Sequence, residues 1–576
     1  MIRHMHAIVI GILVIFLPVL NQVDYCFAGI SVKMILFVLS AILLISAMSV
    51  SKEFKYDMID ISLLLFGGWG VLRYFTSDIP TDIFTLYGML SVLMVYVWIR
   101  CIGDCHIVFP ALFIGGILQA IWGILQLLGV LDAGHLYFRE TGSFDNPALW
   151  GIYLGISFYS GTVLLDKKNV NYNKWMICVG MLLILVGLVF ARSRTVWVAL
   201  ACGLIWIYGA PYYWTRLGHR KMKMKILVIG ILVLCLLLLV MWGIYQICPE
   251  SVQGRLLIFR VAFDMFWDAP YWGHGISSFC AKYMLYQAAW FDKYPDSRWI
   301  MVAGNSHLAF NEYLKILCEQ GVVGLILFGW GMYKVIRKGS FENVRIYTGM
   351  LIVLLVAGVF SYPFEDMAIL VVFGICLAEI NNKTIDSYRV CFVSNVWKCV
   401  VVAILVVGMC MVTLSYGYRK WVEDDLRSVK EGSMSVLDIL AFKDFGQLDS
   451  SKEYVLWVAE ELYRNSHYQD AIPVLEQAVK LHCNELVLNA LGVCYQNEGM
   501  YIHAENAFKL ASYMTPAYIL PQYYLFTLYR EIGDKEAACR VAEKALEMQV
   551  KITNTTVLRA RDAMRTYIRQ NRKGGE

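Results

Sequence analysis

Charge is what this sequence most lacks. Only 16% of its 576 residues are Asp, Glu, Lys or Arg, against 59% hydrophobic, and the mean hydropathy is +0.57. Soluble domains carry nearer a quarter charged and half apolar residues, so the composition excludes an ordinary soluble protein and implies one embedded in a membrane. The formal net charge of +5 argues for no nucleic-acid partner. Several motifs are also missing. There is no Cys-x-x-Cys, so zinc lacks its usual spacing. No Asp-x-Asp stands ready to grip a divalent metal for a sugar nucleotide, and neither a P-loop nor Gly-x-Ser-x-Gly occurs. Nucleotide-driven transport and serine hydrolysis therefore find no support, and no metal or cofactor is expected.

The 16 cysteines look like a disulfide framework, yet most lie inside apolar segments (Cys178, Cys202, Cys235, Cys376, Cys410) and read as small hydrophobes. Cys248 and Cys280 share one loop and can pair in an oxidising compartment. The N-terminus opens with Arg3 and an apolar run from Ile8 to Leu20, but no small-residue cleavage site follows at Asn21–Asp24. An uncleaved signal anchor is expected.

A spanning helix needs about 20 mostly apolar residues. Segments near 5–20, 29–49, 59–75, 83–100, 107–131, 148–165, 175–191, 195–213, 226–247, 321–336, 346–362, 365–381 and 398–416 meet that template, which predicts an all-α polytopic protein of about 12–13 transmembrane helices. Every second connector is basic: Lys52 and Lys55; Arg100; Lys167, Lys168 and Lys174; Arg216 to Lys225; Arg337, Lys338 and Arg345; Lys383 and Arg389. By the positive-inside rule these face the cytoplasm. Residues 248–318 then form a large outer (periplasmic) loop within a membrane domain of residues 1–416, and everything from 417 lies outside as well.

Residues 417–576 differ in character. Charge becomes frequent and apolar residues fall into helical spacing. Gly492, Tyr495, Ala504, Phe508, Ala511 and Pro516 fit the tetratricopeptide pattern; Ala471, Leu475 and Ala478 sit 33 residues earlier, and Tyr529, Ala538, Ala542 and Ala545 echo it 34 residues or so later. A C-terminal helical repeat domain of about three repeats is expected, used for protein contact.

Polar groups at membrane depth are costly and mark candidate sites. Four clusters qualify. In RETGSFDNPALWGIYL, Gly142 and Pro147 shape a turn ahead of a span, with Asp145 or Asn146 as its cap; the turn either only caps the helix or lines a cavity. In FARSRTVWVAL, Arg192 and Arg194 stand on the outer side, where the orientation rule disfavours them; they either snorkel to headgroups or bind phosphate bidentately. In SVQGRLLIFRVAFDMFWDAPYWGHGISSF, Arg255 opens an apolar helix that lies along the outer leaflet, and Arg260, five positions on, does not share its face. In NSHLAFNEYLKILCEQGVVGL, helical spacing sets His307 beside Phe310 and Asn311. A neutral His307 could take a proton from a hydroxyl, with Glu312 orienting it or acting instead.

In that order, GSFDNPALWG, ARSRT, GRLLIFRVAFDMFWDAPYWGHGISSF and FNEYLKILCEQGVVGL resemble the O-antigen ligase and O-antigen polymerase superfamily over residues 110–380. The resemblance implies transfer or polymerisation of glycans from undecaprenyl diphosphate, without metal or nucleotide, at the periplasmic face of the bacterial inner membrane. It implies Arg194 and Arg255, with Arg192 beside them, as diphosphate ligands, and Asn311 in the catalytic group, to which the proton chemistry described above adds His307 or Glu312. The acceptor would be a glycan, the lipid A core or a protein, the last as in protein O-oligosaccharyltransferases. The family's His-Asn pair departs here: Asn311 and the Gly321–Gly324 spacing fit, but Phe310 stands at the histidine position and His307 lies three residues earlier. A lipid-linked glycan transporter is the alternative of another class; it should show inverted repeats among the spans, and no clear internal symmetry is visible.

Overall fold

The computed structural model describes residues 2–23, 32–50, 53–77, 79, 83–103, 105, 107–132, 138–166, 173–215, 249–339, 341–384, 389–392, 395–430 and 452–573. The expected span at 226–247, Cys248, and the basic residues at 167–168 and 216–225 lie outside these. The membrane helices are α1 (Ile2–Val23), α2 (Val32–Val50), α3 (Met58–Phe75), α4 (Ile83–Ile102), α5 (Val108–Leu127), α6 (Pro147–Asp166), α7 (Lys174–Phe190) and α8 (Arg194–Thr215). After them come α9 (Pro249–Asp268), α10 (Ser278–Lys293), α11 (Glu312–Lys338), α12 (Arg345–Phe360), α13 (Met367–Lys383) and α14 (Asn395–Lys430). Each of the other twelve expected spans falls on one of these helices. Six are long and apolar enough to cross a bilayer (in α2 to α6 and α11), and α1, α7, α8, α12 and α14 add shorter apolar stretches. The architecture is that of an all-α polytopic membrane protein.

One element was not expected. Glu53–Tyr56 (β1) pairs antiparallel with Arg389–Phe392 (β2), Glu53 opposite Phe392 and Tyr56 opposite Arg389. Each strand is only four residues long and carries charge, so a search for 20-residue apolar runs passes over both. The ribbon borders a buried polar knot. Asp57 caps α3 and closes a reciprocal capping box with Asp60. Asp60 also receives Arg100 Nε at 3.0 Å, Tyr96 OH at 2.7 Å and Asn381 Nδ2 at 3.0 Å. The Arg100 and Asp60 side chains are 2% and 3% exposed. At that burial a charge persists only when paired and fully hydrogen-bonded, and the knot ties α3, α4 and α13 together at one end. Lys338, pairing with Asp57, adds the end of α11.

Close helix approach explains a glycine in the bundle: a Cβ on Gly123 of α5 would enter the indole ring of Trp150 in α6. Beyond the bundle, Leu257, Val261 and Met265 of α9 pack with Phe279, Tyr283 and Phe291 of α10 in a second core, and Cys483, Leu488, Ala511 and Met514 join the same core. These last belong to a tail of seven helices, α15 (Lys452–Arg464), α16 (Tyr468–Leu481), α17 (Glu485–Asn497), α18 (Tyr501–Met514), α19 (Leu520–Ile532), α20 (Lys535–Glu547) and α21 (Thr555–Lys573). Consecutive tail helices pack on one another. Ala471, Ala478, Ala504, Ala511, Ala538, Ala542 and Ala545 are buried at these contacts, where a side chain no larger than a methyl group lets backbones approach. The helix α14 runs on through residue 416 to Lys430, so the change of composition near 417 falls inside a helix.

Candidate active site

The helix that follows the candidate segment is broken. Inside α11, Gly321 has φ +68° and ψ −171°, which divides the helix into Glu312–Gln320 and the apolar run that follows. The turn 270–275 repairs the break. His274 N and Gly275 N donate to the carbonyls of Cys318 and Glu319 at 2.8 and 2.9 Å, while Val322 N and Val323 N donate to Pro270 O and Tyr271 O at 2.9 and 3.4 Å. Non-helical backbone at membrane depth survives only when its amides and carbonyls are satisfied, and here two segments far apart in sequence satisfy each other. A Cβ on Gly321 would strike the Tyr271 carbonyl. At the end of α3 remote from Asp60, Trp69 Nε1 donates to Gln320 O at 3.1 Å and Arg73 Nη2 to Gly273 O at 2.9 Å.

The turn before α6 is held in the same manner. Gln126 Oε1 accepts from the amides of Thr141 and Gly142 at 3.0 and 2.8 Å, and its Nε2 donates to Gly142 O at 2.9 Å. One face along the helix, two turns earlier, Gln119 Oε1 accepts from Ser143 N at 3.0 Å and its Nε2 donates to Ser143 Oγ at 2.8 Å. Thr141 and Ser143 are buried. Asn146 caps α6, accepting from Ala148 N at 2.7 Å, and also hydrogen-bonds Tyr362.

Arg255 meets this turn from α9. Its guanidinium carbon lies 5.6 Å from the centre of the Phe310 ring, and that ring meets Tyr362 edge-on at 5.4 Å. Burial pulls the Arg255 pKa below the ordinary arginine value; Tyr362 opposes the shift, and the neighbouring Arg194 adds to it by like-charge repulsion. Arg255 remains a cation. Burial, joined by Asp145 and opposed by Arg255, pushes the Tyr362 hydroxyl up to about 12. Residues from all four sequence clusters thus gather in one place: Asp145 and Asn146, Arg194, Arg255, and Phe310. Arg194 is exposed at the start of α8, and Arg192 is exposed with a left-handed φ of 47°. Arg260 points elsewhere, to Asp264 at 3.3 Å and over the Trp290 ring at 5.2 Å.

The stretch around His307 departs from expectation. His307 is not on a helix; α11 begins at Glu312, and residues 303–309 run as irregular chain. The cause is local. Phe310 has φ +50°, and Asn311 is an extended N-cap whose Oδ1 accepts from Leu314 N at 2.9 Å, so the helical spacing read from His307 to Asn311 does not apply. Nor does Glu312 face His307 as its orienting group: it is 4% exposed and its Oε1 accepts from Phe364 N at 2.7 Å. Lys315 leads the charges that hold the Glu365 carboxyl below its ordinary value against burial, and His307 stands last among them; Glu365 lies in the 3-10 turn Pro363–Glu365 between α12 and α13. Glu365 is ion-paired with Lys315. Tyr362 and Glu365 both come from the connector SYPFED, whose base-free, acidic character between two apolar runs was the available signal. The paired Gln119 and Gln126, seven apart in an otherwise apolar helix, were the signal for the buried turn. Cys280 sets its Sγ 3.2 Å from His482 Nδ1, and its expected partner Cys248 lies outside the described residues. Among the described residues no cluster of three or more His, Cys, Asp or Glu is placed to hold a metal.

Comparison with known proteins adds a domain assignment. No curated protein matches the chain. Residues 179–329 match the family model described as O-antigen ligase, a stretch that contains Arg192, Arg194, Arg255, His307, Asn311 and Glu312. That segment is thus similar to an O-antigen ligase domain, and with the apolar helices it supports, in general terms, a multi-pass membrane protein of ligase/polymerase type engaged in glycosyl transfer between a lipid-linked glycan and an acceptor.

Proposed function

We propose that the chain transfers or polymerises an oligosaccharide carried on undecaprenyl diphosphate, at the periplasmic face of a bacterial inner membrane. The observation that carries this reading is the seating of Arg255 against Phe310, whose ring meets Tyr362, itself hydrogen-bonded to Asn146 of the buried turn 141–146, with Arg194 near enough to act on Arg255. Two guanidinium groups at one site suit an anion that can accept several charge-assisted hydrogen bonds. A diphosphate leaving group is such an anion, and it gains charge as its bond to the sugar breaks. In the proposed step, the acceptor hydroxyl oxygen attacks the anomeric carbon, and the carbon–oxygen bond to the diphosphate breaks with its electron pair going to the phosphate. The anomeric centre inverts. His307 takes the hydroxyl proton, and Glu365 stabilises the imidazolium that forms. No metal is required by this scheme. Phe310, which cannot take a proton, serves instead as the aromatic face beneath Arg255.

The side assignment has two supports. The tail shares a hydrophobic core with α9 and α10, so all three lie on one side, while Arg100 and Lys338 gather with the Asp60 knot at the other end of α3. Along α9, Leu256, Phe263 and Trp267 form an exposed stripe, continued by Tyr271 and Trp272, as befits a helix bedded in the interfacial layer. The tail pairs are read as tetratricopeptide-like repeats that contact protein. The test is Arg255→Ala in cells and in purified form. Loss of a charge-assisted contact made in the transition state removes roughly 1.5–3 kcal/mol, or about 10- to 100-fold in kcat/KM. Membrane insertion should be unchanged. Normal glycan ladders in the variant would overturn the proposal.

A further inference from the structure

The segment that carries His307 is held from outside the ligase domain. Lys551, in the link between α20 and α21, donates from Nζ to Val302 O at 3.1 Å and to Ala303 O at 2.8 Å, and its own amide is tied to Ala517 O at 3.1 Å. Glu485, 1% exposed at the start of α17, donates from its amide to Asn305 Oδ1 at 3.3 Å, and its carboxylate is hydrogen-bonded by the Asn305 and Asn489 side chains. Gln287 of α10 spans the joint, giving Nε2 to Gly304 O at 3.1 Å and to Met514 O at 2.6 Å. His482, at the end of α16, sets its ring 6.0 Å from that of His307. An irregular segment with no helix or strand of its own gains its geometry from such contacts. Four successive residues, 302 to 305, are each gripped through a backbone carbonyl or an amide side chain, and His307 is two residues further on.

We propose that the C-terminal helical unit is a working part of the transfer site, with Lys551, Glu485 and His482 acting as positioning residues that hold segment 302–307 and thereby present the His307 imidazole to the acceptor. This rests on the reading of His307 as proton acceptor. It assigns the tail a role in the reaction besides any contact with other proteins. The tail need not move for this; it is a brace, and its removal should loosen one loop and leave the arginine site in place.

The test uses the full-length protein in lipid nanodiscs. Lys551→Met removes both carbonyl contacts at a partly exposed position, where folding should survive, and Lys551→Arg can remake them. Amide hydrogen exchange in peptides covering 302–309 should quicken about tenfold or more in Lys551→Met, the factor expected for loss of a charge-assisted hydrogen bond, while α9 peptides stay unchanged. With a polyprenyl-diphosphate oligosaccharide as donor, kcat should fall by a similar factor and the donor KM should move less than twofold, because Arg194 and Arg255 are untouched. Lys551→Arg should recover both readouts. Unchanged exchange in 302–309, or faster exchange with unaltered kcat, would overturn the inference. Should the wild-type protein transfer no glycan, the proposed function fails, and the exchange experiment still decides whether the tail braces the segment.

Discussion

Replacing Gly321 by alanine tests the central structural claim, that a broken helix and a distant turn complete one another. At φ +68° and ψ −171° the backbone occupies a region essentially reserved for glycine, and a side chain there costs on the order of 1–3 kcal/mol. The added Cβ would also run into the Tyr271 carbonyl, which is backbone and cannot swing aside. The turn 270–275 must then withdraw, giving up the four amide–carbonyl bonds that link it to 318–323 at about 1 kcal/mol each. The two costs are alternatives in part, so a loss of about 3–5 kcal/mol is expected. Gly329, in the same helix with open space around its Cβ position, is the matched control; alanine there should be neutral or stabilise by up to about 1 kcal/mol through helix propensity. Thermal unfolding in detergent should show Gly321→Ala lowered by about 3–4 °C. Equal melting in the two variants would refute the repair of the break by the turn.

Two further substitutions probe the supports of the site. Gln126→Leu leaves the buried amides of Thr141 and Gly142 without their acceptor; it should destabilise by about 2–4 kcal/mol and depress transfer by disturbing Asp145 and Asn146, measured as a fall in melting temperature together with kcat/KM, whereas retained stability would show that the glutamine does not hold the turn. Arg100→Met strands Asp60 among Tyr96 and Asn381 and should cost about 3–5 kcal/mol, much of it recovered in the double variant Arg100→Met/Asp60→Asn; equal losses in single and double variants would mean that the uncompensated carboxylate is not the source.

How much of this could be read in advance depends on the range of the forces involved. Membrane helices follow from local composition, because each satisfies its own backbone and needs only a long apolar run. Twelve of the expected spans accordingly fall on helices. The ribbon Glu53–Tyr56 with Arg389–Phe392 was illegible, since neither strand has meaning without a partner more than 300 residues away. The arginines were legible for a different reason. Arg194 and Arg255 stand where apolar neighbours make charge expensive, and an expensive residue advertises a use. His307 shows the limit of that logic. Its chemistry was plain, but its placement was not, because one left-handed residue, Phe310, and one cap, Asn311, shift the start of α11 past it. Helical spacing is a rule about residues already inside a helix. It fails at the position where a helix begins, and that is where this chain keeps its imidazole. The contacts that hold its segment are consequently found far along the chain, at Glu485 and Lys551. A residue on irregular chain takes its geometry from whatever grips it, so the tail, which carries neither Arg194 nor Arg255 and lies outside the matched region, shares with Gln287 in holding the segment of His307.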